Sequence, residues 1–150
     1  MMNYKLAKTM AKTFTLFLGV VVALTAEAAS VTGALGSSAV ALDAWRFTCP
    51  TGTVQSRVRV MDNNGTLNTA ATVFVSFGED AAPTWFVSDT ESTSTSSPWA
   101  TNTSDGPGNY VLVVNKSAAG LEDYTVEAQC LDSSLVTVIG PSRIFAQVNE

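Results

Sequence analysis

Five stretches of this chain alternate apolar and polar side chains with a period of two. Trp45, Phe47 and Cys49 share one parity, with Arg46 and Thr48 on the other. Val54, Val58 and Val60 share a face with Ser56, while Gln55, Arg57 and Arg59 point the opposite way. Val73, Val75 and Phe77 form a third run, and Tyr110, Leu112 and Val114 a fourth. Tyr124, Val126, Ala128 and Cys130 form the fifth, opposite Thr125, Glu127 and Gln129. Successive side chains of a strand leave opposite faces, so each run predicts a strand with one packed face. No segment beyond residue 28 shows a period of 3.6, so little helix is expected.

The gaps between runs carry turn chemistry: Cys49-Pro50-Thr51-Gly52, Asp62-Asn63-Asn64-Gly65, Gly106-Pro107-Gly108-Asn109 and Ala118-Ala119-Gly120. Asn64-Gly65 is a tight-turn pair, because both residues tolerate positive φ. Residues 29–41 read as a lead-in of small residues that adds at most an edge strand. Residues 88–104, rich in Ser and Thr, predict a long surface loop that buries little. Residues 135–139 and 143–148 read as two further short strands joined at Gly140-Pro141. Short strands separated by turns, each with one packed face, predict an all-β antiparallel sandwich over residues 42–150. The apolar tail either folds back onto this sandwich or is donated to another copy. The reversal that Gly140-Pro141 permits favours folding back.

Ahead of the alternating region lies a segment of different grammar. Lys5, Lys8 and Lys12 precede an apolar run over residues 14–24, and Ala26-Glu27-Ala28 follows. A basic start, an apolar centre and small residues at the cleavage positions describe a secretory signal peptide, residues 1–28, cut after Ala28. The run is about a dozen residues, short of the roughly 20 that a membrane-spanning helix needs. The expected compartment is therefore the periplasm or the extracellular space, where thiols oxidise. By parity Cys49 and Cys130 both point inward, which predicts one disulfide that clamps the fold. Two buried free thiols are the alternative.

Removing the leader shifts the charge from −5 to −7, leaving five basic residues against twelve acidic ones. Such a domain repels phosphate backbones and anionic lipid, so neither nucleic acid nor membrane is an expected partner.

Two segments in this order resemble a known module. One is LDAWRFTCPTGTVQSRVRV and the other is GPGNYVLVVNKSAAGLEDYTVEAQC. The first gives an Asp-x-aromatic-x-Phe strand, a Gly turn and an alternating Val strand; in the second Gly-x-Tyr opens a strand and Tyr-Thr-Val closes the module. Together they are similar to the bacterial pre-peptidase C-terminal (PPC) domain family, over about residues 42–131. The resemblance implies a small secreted β-sandwich of jelly-roll type that is non-catalytic, some members of which bind polymeric substrates or calcium.

The chain has no histidine. That excludes Ser-His-Asp and Cys-His catalysis and most zinc and haem ligation. After the leader only Lys116 remains among the lysines, in an Asn-Lys-Ser sequence that reads as a solvated turn. Carboxylates are then the one general acid–base option: Glu79-Asp80 with Asp89 and Glu91, on one rim of the sandwich if they converge, solvated loop charges if they do not. No cofactor is expected. Calcium is the metal to weigh, with Asp62, Asn64, Asp105, Glu79 and Asp80 as oxygen donors, although no spacing resembles an EF-hand loop.

Aromatic residues are the other lead. Trp45 has core parity. Trp85 and Phe86 are adjacent, so one faces in and the other out. Trp99 lies in the polar stretch between Pro98 and Ala100. It is a platform for a sugar ring if exposed, or a cap on the core if folded back. The expected function is a non-catalytic exported module that binds an extracellular or cell-envelope polymer such as glycan, through Trp99 and Trp85. The alternative is a structural, self-associating surface subunit that uses its C-terminal strands.

Overall fold

A computed structural model describes residues 28–63, 71–79, 84–90 and 95–149. The leader reading, and the readings placed on Asn64, Gly65, Asp80 and Glu91, lie outside these residues. Ten strands are present among them: β1 (Ala29–Leu35), β2 (Leu42–Cys49), β3 (Gln55–Asp62), β4 (Val73–Glu79), β5 (Trp85–Asp89), β6 (Ala100–Asn102), β7 (Gly108–Lys116), β8 (Glu122–Leu131), β9 (Val138–Gly140) and β10 (Phe145–Asn149). There is no helix among the described residues.

The strands form two antiparallel sheets. Sheet A has the order β1-β8-β3-β6, with β9 also on β8, and sheet B has the order β10-β2-β7-β4-β5. Within the first eight strands the pairings β1–β8, β2–β7, β3–β6 and β4–β5 are nested. That nesting is the jelly-roll arrangement, in which one long folded hairpin wraps into a two-layer sandwich.

Alternation explains the core. Trp45, Phe47, Tyr110, Leu112, Val114, Val75 and Phe77 from sheet B meet Val58, Val60, Tyr124, Val126 and Ala128 from sheet A. Phe47 stacks on Tyr110, with ring centroids 5.0 Å apart. Cys49 on β2 and Cys130 on β8 are bonded across the two layers, with an S–S distance of 2.03 Å and Cα atoms 5.6 Å apart. The turn after Cys49 is formed as its residues require: Gly52 has φ 96° and Thr53 N–H donates to Pro50 C=O at 3.2 Å.

Two segments differ from the sequence reading. The stretch 88–104 is not simply a surface loop. It contains the end of β5 and all of β6, and Ser97 and Asn102 are buried within it. Ser97 N–H donates to Val60 C=O at 2.7 Å and its hydroxyl accepts from Val60 N–H at 3.0 Å. The Asn102 carbonyl accepts from Ser104 N–H at 2.8 Å. Polar side chains with partners can enter a sandwich, which composition alone does not reveal. Residues 29–35, by contrast, form the edge strand that the lead-in allowed, paired with β8. The tail begins with a turn rather than a strand: Asp132 Oδ1 accepts from Ser134 N–H at 2.9 Å, Leu135 has φ 60°, and Leu135 and Val136 are exposed. The later tail then pairs within its own chain, β9 on β8 and β10 on β2, with Ile139 and Ile144 packed against the core.

Candidate binding face

The inward rows of five strands end in charged side chains at the same end of the sandwich. These are Asp43, Asp62, Asp89, Lys116 and Glu122, all buried. Lys116 is thus not the solvated turn residue that its neighbours suggest. It is the last inward position of β7, and its ammonium donates to the carbonyls of Gly36 and Gly120. Burial pushes its pKa down, and the nearby Glu122 opposes that. Asp62 likewise belongs to β3 rather than to a turn, and its N–H donates to Asp89 Oδ2 at 2.9 Å. Tyr124 joins this end to the core: Trp45 Nε1 donates to its hydroxyl at 2.8 Å, and the hydroxyl donates to Asp43 Oδ2 at 2.5 Å.

Among the described residues, the carboxylates weighed for acid–base or calcium chemistry are divided between the two ends of the sandwich. Glu79 closes β4 opposite Tyr110, whereas Asp89 lies opposite Val73 at the other end of the same hairpin. Six residues at about 3.3 Å each put them roughly 20 Å apart along the strand. Asp105 lies at the disulfide end and accepts from Asn102 Nδ2 at 2.5 Å, far from Asp62. Among the described residues no group of three or more His, Cys, Asp or Glu is disposed to hold a metal ion.

The aromatic candidates separate cleanly. Trp45 is buried and Trp85 packs half-buried against the core from β5, so Phe86 faces out and is 78% exposed. Trp99 takes a third position. It directly precedes β6, whose Ala100 pairs with Val58, and its half-buried indole lies over the outer face of sheet A. The guanidinium carbons of Arg57 and Arg59 are each 4.6 Å from the ring centroid. Each contact of this kind at an exposed site is worth about 0.5–1 kcal/mol, enough to hold the ring in place. Trp99 therefore neither caps the end of the core nor stands free of the sheet.

The surrounding side chains come from strict register. Arg59 lies opposite Glu127, and their side chains form an ion pair at 2.5 Å. Arg57 lies opposite Gln129 and donates to its Oε1 from Nε at 2.8 Å and from Nη2 at 2.5 Å. Burial, followed by the charge of Arg59, pulls the Arg57 pKa below its ordinary value. One row further, Thr125 accepts from Asn63 Nδ2 at 2.8 Å and meets Thr32 Oγ1 at 3.2 Å. The outcome is an outer face on which one indole meets two guanidinium groups, with an amide, a carboxylate and hydroxyls in the adjoining row. Sequence parity placed Arg57, Arg59, Glu127 and Gln129 on the outer face, but gave no sign that Trp99 would fold across them.

Sheet B has a different outer surface. Phe74, Ser76, Phe86 and Asn115 line an open depression of about 520 Å³ there. It offers two apolar rings with Ser76 and Asn115 between them.

Comparisons with protein-family models, curated proteins and solved structures found no match to this chain.

Proposed function

We propose that this chain is an exported, non-catalytic β-sandwich that binds an extracellular or cell-envelope polysaccharide across the outer face of sheet A. The single observation that carries this reading is the placement of Trp99: half-buried, with the guanidinium groups of Arg57 and Arg59 over its ring, and those arginines paired in turn with Gln129 and Glu127. A sugar ring presents an apolar face with hydroxyls around its edge. An indole held against two guanidinium groups, with amide, carboxylate and hydroxyl groups in the neighbouring row, complements both features. The leader, the absence of histidine and the likeness to PPC domains point to the same class. Buried carboxylates and a buried Lys116 give little support to a hydrolase. The self-associating alternative has less support, since β9 and β10 are already paired within their own chain.

A glycan array probed with the leader-free chain and with Trp99→Ala tests the proposal. The expected result is binding by the parent and loss of binding in the variant, with a melting temperature within a few degrees. If Trp99→Ala instead lowers stability by more than about 2 kcal/mol, the ring is a structural element and the platform reading fails.

A further inference from the structure

We propose that the Trp99 face takes an anionic polysaccharide, a polymer that carries carboxylate or sulfate groups, with Arg57 as the anion-binding residue. This rests on the reading of the face as a glycan platform and adds the charge of the ligand.

The two arginines beside Trp99 are not equivalent. Arg59 is neutralised by Glu127 at 2.5 Å. Arg57, in the adjacent outward position of the same strand, faces a neutral amide: both of its hydrogen bonds end on Gln129 Oε1. A guanidinium has five N–H donors in a planar fork. Gln129 occupies two of them, and among the described residues nothing accepts from the other three. The amide orients the group without cancelling its charge. Arg57, Arg59 and Glu127 together leave one positive charge beside the ring, on a chain whose net charge is −5.

The next carboxylate along the outer row of β8 is distant from this spot. Asp123, on the same face of β8, is four residues from Glu127, about 13 Å along the strand. That exceeds the Debye length of about 8 Å at physiological salt. A planar fork matches the two oxygens of a carboxylate or sulfate, and bidentate pairing sets the direction of approach. Arg57 Cζ lies over the Trp99 ring, 4.6 Å from its centroid, so an acidic substituent on a sugar that touches the indole comes within reach of the guanidinium. A neutral glycan would leave that charge without a counterpart.

Affinity electrophoresis through native gels that contain polygalacturonate, dextran sulfate or neutral dextran tests the inference. The leader-free chain should be retarded by at least one polyanion at concentrations about tenfold lower than by dextran. The two polyanion arms decide between carboxylate and sulfate. Two charge variants leave Trp99 and both arginines in place. Gln129→Glu gives Arg57 a carboxylate partner and should weaken polyanion retention about tenfold. Glu127→Gln releases Arg59 and should strengthen it several-fold. Trp99→Ala should abolish retention by every polymer. Equal retention by dextran and the polyanions, or indifference to both charge variants, overturns the anionic assignment and leaves the polysaccharide reading standing. Retention by none of the three polymers, or retention that survives Trp99→Ala, overturns both.

Discussion

Tyr124→Phe probes the point where the two sheets are tied by polar chemistry. The change deletes one oxygen and leaves the ring, which is fully buried. That oxygen serves two partners, accepting from Trp45 Nε1 at 2.8 Å and donating to Asp43 Oδ2 at 2.5 Å. A hydrogen bond to a charged group contributes about 1.5–3 kcal/mol, and an orphaned buried donor costs about 1–3 kcal/mol. Relief of the hydroxyl's own desolvation offsets part of this, so the expected loss is about 3 kcal/mol. For a domain of this size that is a drop of roughly 10 °C in melting temperature. Urea titrations followed by tryptophan fluorescence measure it. A double-mutant cycle with Trp45→Phe isolates the indole bond: in that background Tyr124→Phe should cost at least about 1 kcal/mol less. A loss below about 1 kcal/mol for the single variant, or strict additivity in the cycle, would refute the assignment of Tyr124 as a shared buried partner.

Cys49 and Cys130 enclose 81 positions of sequence separation, and replacing both by Ser should cost about 4.5 kcal/mol on the chain-entropy model. The oxidised protein in denaturant without reductant should show no titratable thiol; two thiols would contradict the pairing. Truncation after Asp132 removes β9 and β10 and uncovers β2 and the Ile139 and Ile144 contacts, so the shortened chain should lose stability or aggregate while the intact one runs as a monomer in light scattering. An intact oligomer with a folded, monomeric truncation would instead favour strand donation. Burial raises the pKa of Tyr124, with Asp43 adding to it, and burial raises that of Tyr110. Both keep their protons when the unfolded chain begins to release them near pH 10, so stability should fall above about pH 10 by up to roughly 2.7 kcal/mol per pH unit. Lys116, pushed down by burial, acts in the opposite direction only below its ordinary value of 10.5. Denaturation midpoints at pH 9, 10 and 11 check the sign, and an unchanged midpoint at pH 11 would contradict it.

Much of the architecture was legible because strand physics is written with a period of two. Parity alone oriented Phe47, Val58, Val60, Tyr110 and Tyr124, and it aimed both cysteines inward. It failed where polar groups are buried with partners. Asp62 and Lys116 read as turn residues because charges usually mark solvent, yet each ends an inward row. Ser97 and Asn102 sat in a stretch whose composition argued for a loop, yet Ser97 bonds Val60 on β3 and Asn102 ties the end of β6 to the turn at Ser104 and Asp105. The tail misled in the other direction, as Leu135 and Val136 are apolar but exposed in a turn fixed by Asp132 and Ser134. For the candidate face, Trp99 was legible as an unusual residue in a polar stretch. Its partners were not, since the approach of residue 99 to Arg57 and Arg59 depends on how β6 pairs.

Hydroxyl-radical footprinting of the leader-free chain with and without polygalacturonate, read residue by residue by mass spectrometry, tests the binding face most directly. Trp99 is half-buried, and Phe74 and Phe86 on the outer face of sheet B serve as an internal control. A polymer seated on sheet A should protect Trp99 several-fold and leave Phe74 and Phe86 unchanged. Protection of Phe74 and Phe86 with Trp99 oxidised as before would move binding to the opposite sheet, and protection of none of the three would contradict binding of this polymer at either face.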